Sequence, residues 1–322
     1  MSAPAIRHPQ GGDIVIFANP ISGRGRGAQM AQRLTAGFQR AGRHTVTFLQ
    51  HADTIPDAQF VSVARASAAI VIGGDGTLRT VAARLLTALG HRMPPLLIVP
   101  LGTANLMGRH LGIRWDDAHL EMQVMQALAT GHIVHLDAAR ANQGLCLLVA
   151  GVGIDGAIVH ELDRVRSGPI RMTSYALPSL LAFAKYDYPP LTVIADGRVV
   201  MNRTPAMAFI GNIPEYGTGF AILPHARPDD GLLDLCVIPC RNRRETVSLF
   251  LHAAAAQHLD AEDAVYLKAR SIRIESAWPA PVQVDGEAAG FTPLQIDLLP
   301  DRLPFIVPTD YSFPVGRRNR VR

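Results

Sequence analysis

Residues 1–132 alternate short apolar runs with amphipathic stretches, and this alternation constrains the fold more than any other feature of the chain. Runs such as DIVIFAN, AAIVIGG and PLLIVP have the length and the aliphatic content of buried strands. Stretches such as GAQMAQRLTAGFQRAG and GTLRTVAARLLTALG carry apolar residues at helical spacing. Because strands that alternate with helices form a parallel sheet covered by helices, we expect an α/β domain over residues 1–132.

The pattern changes near His132, where short strands spaced by turns replace the alternation. The stretch ADGR at residues 195–198 has Asp-Gly at the centre of a two-residue hairpin. We therefore predict a mainly antiparallel β domain over residues 133–302. The strand-like run LPFIVP falls in residues 303–322, and this segment is expected either to return to the first domain or to extend the second.

The charge balance limits the partners that the chain can be expected to bind. It carries 31 Lys and Arg against 27 Asp and Glu, and a net charge of +4 gives no reason to expect nucleic acid. Lys185 and Lys268 are the two lysines among those cations, and arginine supplies the rest. The sequence has no Gly-x-x-x-x-Gly-Lys-[Ser/Thr] loop, so any phosphate must be met by arginine, backbone N–H groups or a metal.

Compartment signals favour the cytoplasm. Three cysteines, an odd and sparse set, favour a reducing compartment. MSAPAIRHPQGG lacks the apolar core of a signal peptide, and no uncharged apolar run is long enough to span a bilayer. The end GRRNRVR predicts a solvated tail or a weak anchor to anionic lipid at the inner face of the membrane.

The loop after the first strand passes part of the fingerprint of dinucleotide-binding proteins. Gly23, Gly25 and Ala28 have its spacing, and Asp53 follows about where a ribose-binding acid belongs. An NAD(P)-binding oxidoreductase is therefore an alternative function. In that fingerprint the first glycine follows the strand almost at once, whereas residues 19–22 intervene here. The longer loop offers Asn and Ser side chains to a ligand.

The stretch VIGGDGTLRT places a carboxylate inside a glycine turn at the carboxyl end of a predicted parallel strand. Ligands of open α/β sheets bind at this edge, and the free N–H groups of the following helix attract phosphate. Gly73, Gly74 and Gly76 let a phosphate chain approach the backbone, and Thr77 can cap the helix or donate to phosphate. Asp75 then needs a cation, and Mg²⁺ that travels with a nucleotide is the simplest choice.

Two further glycine turns and one acidic loop repeat this theme of polar residues at strand ends. Each alone has an ordinary structural explanation, as a helix start, a hairpin turn or a solvated loop. They are the turn at residues 102–105 in VPLGTANLMGRHLGI, the turn at residues 285–287 in PVQVDGEAAG, and the loop RPDDGLLDL at residues 227–235.

Together these stretches resemble the diacylglycerol kinase catalytic family, which includes bacterial lipid kinases and the sphingosine and ceramide kinases. The matching stretches are, in order, NPISGRGRG, GGDGT, PLGTANLMGRHLGI, AGVGIDGAIV, YGTGFAILPHARPDDGLLDL and VDGE. GGDGT also occurs in NAD kinases, which keeps NAD kinase as a further alternative. The stretches DDGLLD and VDGE fit the lipid family better.

The resemblance implies an ATP site. The residues that it places at the nucleotide are Asn19, Pro20, Ser22, Gly23, Gly73, Gly74, Asp75, Gly76, Thr77, Thr103 and Asn105. Many relatives have Asn-Glu where this chain has Arg79 and Thr80, so Arg79 is expected to contact phosphate instead. Many also have Asp where Leu106 stands, and a changed nucleotide or acceptor geometry is one consequence.

The resemblance also implies a base and two roles for Mg²⁺. Glu287 or Asp285 would accept the proton of the lipid hydroxyl. Asp75 would hold the Mg²⁺ of the nucleotide, directly or through water. A structural Mg²⁺ would lie in the acidic loop, on the carboxylate of Asp230 and on main-chain oxygens, those of Arg227 and Leu232.

The sequence therefore predicts an ATP-dependent lipid kinase. Its acceptor would be a membrane lipid with a free hydroxyl, diacylglycerol by family default, with ceramide or a sphingoid base left open. Transient contact with the inner membrane surface would follow from that substrate. A non-catalytic sensor is disfavoured because Asp75 and Glu287 are both present. A homodimer is left open.

Overall fold

A computed structural model of the chain describes residues 12–165, 176–217 and 221–309. These residues form two compact units, residues 12–136 with 301–309 and residues 137–300. Across the described part of the chain, each helix is too short or too polar to cross a membrane. The arginine-rich end, for which we predicted a lipid contact, lies outside the described residues.

The first unit alternates strands and helices, as its apolar periodicity predicts. Buried β-branched runs form the strands, and β1 and β3 are buried along their whole length. The elements are β1 (Ile14–Ala18), α1 (Ser22–Arg40), β2 (Thr45–Leu49), α2 (Asp57–Ser62), β3 (Ala68–Gly73), α3 (Asp75–Leu89), β4 (Leu96–Pro100), α4 (Leu106–His110), α5 (Leu120–Thr130) and β5 (His132–Leu136).

The second unit is built from antiparallel pairs. Its long strand β10 pairs with one neighbour through its first half and with two others through its second half, which joins the pairs around one apolar core. The elements are β6 (Ala139–Ala141), β7 (Gly144–Cys146), β8 (Val149–Val152), α6 (Ile154–Val165), α7 (Ala176–Lys185), β9 (Pro190–Ala195), β10 (Arg198–Gly211), β11 (Leu233–Pro239), α8 (Arg243–Ala254), β12 (Val265–Ala269), β13 (Ser271–Ser276), β14 (Pro281–Val284), β15 (Glu287–Phe291) and β16 (Leu294–Leu298).

The last strand, β17 (Leu303–Val307), belongs to the sheet of the first unit. The strand order is β2-β1-β3-β4-β17-β5, with every pair parallel except β17 with β5. The predicted fold class, a parallel α/β domain followed by an antiparallel β domain, is confirmed. The run LPFIVP forms this strand.

The structure divides the chain a few residues later than the pattern suggests. HIVHLDAARA reads as one strand that opens the second domain, yet it breaks at Asp137 into β5 and β6. β5 pairs with β17 in the first unit, and β6 pairs with β16 in the second. Both partners lie more than 150 residues away in sequence, so the local pattern carries no trace of the break.

Candidate active site

Three of the predicted nucleotide-binding loops follow neighbouring parallel strands of the first unit. They leave the carboxyl ends of β1, β3 and β4, which lie side by side in the sheet. The backbone ties them together: Asn19 N donates to Ile72 O at 3.1 Å, and Leu101 N donates to Gly73 O at 2.8 Å. The structure thus brings the three loops to one edge, where ligands of open α/β sheets bind.

The loop after β1 has an unusual backbone. Gly23, Arg24 and Gly25 have φ values of 59°, 62° and 88°, so the regular part of α1 begins only after them. Asn19 Oδ1 accepts from Ile21 N at 3.2 Å and turns the chain at the strand end. The regular helix thus starts several residues after β1 ends, unlike the tight strand-to-helix turn of dinucleotide-binding proteins, which disfavours that alternative.

The loops after β3 and β4 meet backbone to backbone. A Cβ atom on Gly102 would lie 2.7 Å from Gly74 Cα, closer than real side chains approach. Asn105, in the left-handed region, closes the second loop, since its Oδ1 accepts from Gly102 N and its Nδ2 donates to Gly102 O, both at 2.7 Å. Glycine at 102 is therefore needed for this contact, and a Cβ on Gly74, 3.1 Å from Gly102 Cα, would force the loops slightly apart.

Asp75 holds these two loops together through its carboxylate. Oδ2 accepts from Leu106 N at 2.9 Å and Oδ1 from Met107 N at 3.1 Å, at the first turn of α4. Burial raises the pKa of Asp75, against the opposing effect of these hydrogen bonds and of the Arg109 charge. Sequence reasoning missed this link, because the donors lie 31 and 32 residues further along the chain. The carboxylate also accepts from the backbone N–H of Asp75 itself.

The remaining predicted nucleotide residues lie on the same loops. Helix α3 begins at Asp75 with Gly74 as its N-cap, two residues earlier than the sequence suggests. Thr77 and Arg79 therefore sit in the first turns of α3, both half-buried, and Thr103 is exposed in the loop after β4. Pro20 and Ser22 flank the turn after β1 and are half-buried. Their contacts with a nucleotide stay predictions.

The Asp-Gly-Glu stretch is a two-residue hairpin in the second unit. Val284 pairs with Glu287 across the β14–β15 turn, and Asp285 and Gly286 have φ values of 53° and 82°. The Asp285 carboxylate accepts three backbone N–H groups, from Leu147 and Leu148 at 2.8 Å and from Val149 at 3.1 Å. Its own N–H donates to Val149 O at 3.0 Å. Asp285 therefore anchors the turn to the segment that enters β8, whereas Glu287 begins β15 and is half-buried.

A buried acid outside the predicted site residues supports this hairpin. Asp155, on α6, is 3% exposed, and burial raises its pKa to about 6. Gln283 Nε2 lies 3.4 Å from Asp155 Oδ2, and Gln283 Oε1 accepts from Gly286 N at 2.9 Å. The hairpin is thereby connected to the interior of its unit.

A lysine on the neighbouring strand β12 places its ammonium group at the acidic loop. Lys268 Nζ lies 2.6 Å from Asp230 Oδ2, and Asp230 Oδ1 accepts from Leu232 N at 3.1 Å. Arg227 pairs with Asp229. Within the described residues, no three His, Cys, Asp or Glu side chains are grouped to hold a metal ion. With an ammonium on Asp230, this donor set does not fit the divalent cation that the resemblance implies there.

Two family models match the chain. The diacylglycerol kinase catalytic domain matches residues 13–164. The YegS C-terminal NAD kinase beta sandwich-like domain matches residues 148–307. The two matches follow each other along the chain and leave only its ends uncovered.

Relatives of nearly the same length have similar sequences and folds. A Mycobacterium tuberculosis protein named diacylglycerol kinase is 25% identical over 317 residues, which are 96% of this chain and 99% of the relative. A Staphylococcus carnosus protein of the same name is 24% identical, covering 92% of this chain and 95% of the relative. A solved diacylglycerol kinase structure from Bacillus anthracis str. Sterne has a TM-score of 0.70 at 23% identity, covering 94% of this chain and 99% of that one.

The motif order, the observed fold and the consecutive family matches agree. The glycine loops and the Asp-Gly-Glu hairpin lie in the two matched regions, one in each. This chain belongs to the diacylglycerol kinase catalytic family and is a lipid kinase.

Proposed function

We propose that this lipid kinase transfers the γ-phosphoryl group of ATP to the free hydroxyl of diacylglycerol. The observation that carries the nucleotide part is the contact between the glycine loops at one sheet edge, locked by Asp75. Locked loops present backbone N–H groups in fixed positions, and phosphoryl transfer depends mainly on positioning and charge neutralisation. Arg79, at the start of α3, adds the cation that a lysine supplies in other phosphate loops.

Mg²⁺ bound to the nucleotide fits this arrangement. Such a metal needs only one or two protein carboxylates, because phosphates and water complete its coordination. Backbone N–H groups take three of the roughly four acceptor positions of the Asp75 carboxylate, which would hold the metal through the remaining one or through water. When bound, Mg²⁺ neutralises charge on the phosphates.

Glu287 is the base in this proposal, and Asp285 positions it. The oxygens of Asp285 are committed to three backbone N–H groups, which leaves it poorly placed to take a proton. Glu287 would accept the proton of the lipid hydroxyl as that oxygen bonds to the γ-phosphorus. The bond from the γ-phosphorus to the bridging oxygen breaks, and ADP leaves with the electron pair.

A groove beside the hairpin supports a lipid acceptor. It has a volume of about 390 Å³ and contains the exposed ring of Phe291, which is on β15 with Glu287. Its lining is mostly apolar, and its charged residues are two cations, Arg164 and Lys185, and two acids, Glu161 and Asp187. An exposed apolar surface of this kind suits an acyl chain, so we extend the proposal to transient contact with the cytoplasmic face of the membrane.

The test is a phosphorylation assay with the purified chain, γ-labelled ATP and Mg²⁺. Diacylglycerol, ceramide and sphingosine are offered separately in vesicles, and NAD is offered as a soluble acceptor. We expect label in phosphatidic acid, none after addition of EDTA, and co-sedimentation of the protein with anionic vesicles. Label in NAD alone would contradict the proposal, as would thermal stabilisation by NAD(H) but not by ATP with Mg²⁺.

A further inference from the structure

The ammonium group of Lys268 lies among three oxygens in the second unit. Nζ is 2.6 Å from Asp230 Oδ2, 3.1 Å from Asp234 Oδ2 and 3.3 Å from the main-chain oxygen of His225. Lys268 is on β12 directly opposite Asp234 on β11, so strand register fixes where its side chain starts. The Asp234 side chain is fully buried and that of Lys268 is 29% exposed. The three oxygens converge on one nitrogen, as they would on a bound cation.

A single ammonium interacts with both carboxylates at this site. Two carboxylates beside Nζ favour its charged form. The lysine therefore remains an ammonium. Tyr266 donates to Asp234 Oδ1 at 2.6 Å, which satisfies the other oxygen of the buried acid.

Other contacts brace the loop around this cation. Asp137 Oδ2 accepts from Gly231 N at 2.7 Å, and Arg270 donates to Gly231 O at 3.1 Å. Asp230 Oδ1 accepts from Leu232 N. A divalent cation on Asp230 would have to displace the ammonium or lie beside it, against direct repulsion.

The residue type fits the same role. Arginine supplies nearly all cations of this chain, yet lysine stands at 268. Three oxygens around one atom suit a compact ammonium with three donors on one nitrogen, whereas the planar guanidinium spreads its donors over a fork. Lysine therefore suits this position by the geometry of its donors as well as by its charge.

We infer that Lys268 is the built-in cation of the loop at residues 225–234 and stands in for the divalent ion that the family resemblance puts on Asp230. The loop therefore folds without Mg²⁺. This inference concerns the fold and holds whatever the substrate is. Its consequence for the reaction, that the Mg²⁺ requirement of the kinase follows the nucleotide alone, rests on the proposed function.

The test measures thermal unfolding and Mn²⁺ binding of the full chain without nucleotide. We expect the wild type to have the same Tm in EDTA and in Mg²⁺. Lys268→Met leaves two acids without their cation, so its Tm should fall by several degrees in EDTA and recover in Mg²⁺ or Mn²⁺. Lys185→Met is the matched control, because the other lysine is 60% exposed and lies 3.7 Å from Glu161. It should change neither Tm nor metal response.

Two results would overturn the inference. One is Mn²⁺ binding and stabilisation of the wild type that Asp230→Asn abolishes, since the loop would then hold a metal beside Lys268. The other is a folded Lys268→Met variant that keeps the wild-type Tm in EDTA and gains no response to metal. If Lys268→Met does not fold, the comparison of wild type with Asp230→Asn decides alone. Phosphorylation of lipid is not a readout in any arm, so failure of the proposed function would leave this result unaffected.

Discussion

The second unit contains two Asp-Gly hairpins with nearly the same local structure. Asp196 and Asp285 both have left-handed φ, and each is followed by a glycine at positive φ. Asp196 donates its N–H to Ser271 O, and its Oδ1 accepts from Arg270 N and Ser271 N at 3.0 and 2.9 Å. Asp285 does the same toward Val149 and its two preceding residues.

The likeness shows that an Asp at the first position of such a turn can have a purely structural role. Asp196 anchors an exposed turn to a neighbouring strand, in a hairpin that no motif marks as functional. What distinguishes the second hairpin is the residue after the turn, Glu287 where the first has Arg198, and the support from Gln283 beneath it. The comparison shows that Asp285 anchors its turn, and it supports the proposal that Glu287 is the base.

The largest expected effect tests that assignment directly. Glu287→Gln removes the base but keeps the size and hydrogen-bonding capacity of the side chain, so kcat should fall by roughly 10²–10⁴-fold with unchanged Tm. Steady-state assays with saturating ATP and lipid measure the loss. A variant that keeps at least half of the wild-type kcat would remove Glu287 from the mechanism.

In the first unit, the carboxylate of Asp75 likewise accepts backbone N–H groups from a distant segment, but Asp75 lies at the start of a helix and not in a hairpin. Asp75→Ala leaves the Leu106 and Met107 N–H groups unpaired and loosens α4 from the glycine loops. The expected result is at least a tenfold rise in the Kd for ATP with Mg²⁺, with lipid KM little changed. Calorimetric titration measures the nucleotide affinity. Unchanged ATP affinity would show that the lock between the two loops has no role at the nucleotide.

Asp285 and Asp196 should differ in how much each contributes to the free energy of unfolding. Asp285→Ala leaves three N–H groups without an acceptor and Asp196→Ala leaves two in an exposed turn, and each buried unpaired group costs about 1–3 kcal/mol. The cost of alanine at positive φ is common to both and cancels. We expect the free energy of unfolding in urea to fall more for Asp285→Ala. Equal losses would mean that Asp285 contributes nothing structural beyond an ordinary hairpin acid.

Local patterns predicted the fold class because strand and helix periodicity is written in neighbouring residues. The ADGR hairpin is confirmed for the same reason, since its turn chemistry is local. The break at Asp137 escaped prediction because β5 and β6 choose partners from distant strands.

In the candidate site, too, local features could be predicted and contacts between distant residues could not. Which loops lie together at one sheet edge could be predicted, because the carboxyl ends of parallel strands share an edge. The targets of Asp75, Asp285 and Asp230 could not, since each carboxylate finds donors 30 or more residues away in sequence, apart from Leu232 N. Glycine and acid patterns reveal where polar groups gather, but tertiary packing decides whether an acid meets a ligand, a backbone or an ammonium.

Asp155 gives the stability of the second hairpin's unit a pH dependence. Burial raises the pKa of Asp155 from 3.8 to about 6. Between pH 3.8 and about pH 6, Asp155 therefore keeps its proton in the folded state and has lost it in the unfolded chain. Stability from this group is therefore present at low pH and declines as pH rises through that window. The change is up to about 3 kcal/mol, from 1.36 kcal/mol for each pKa unit.

Asp155→Asn should remove that slope. As pH rises from about 4 to about 7, the free energy of unfolding of the wild type should fall relative to that of the variant. Taking the difference between the two proteins removes the effect of the carboxylates that they share. Because Gln283 links Asp155 to the Glu287 turn, the lipid kinase rate of wild type should change in the same window. A pH-independent difference in stability would mean that Asp155 is ionised throughout and that its burial is fully compensated by Gln283 and Tyr216.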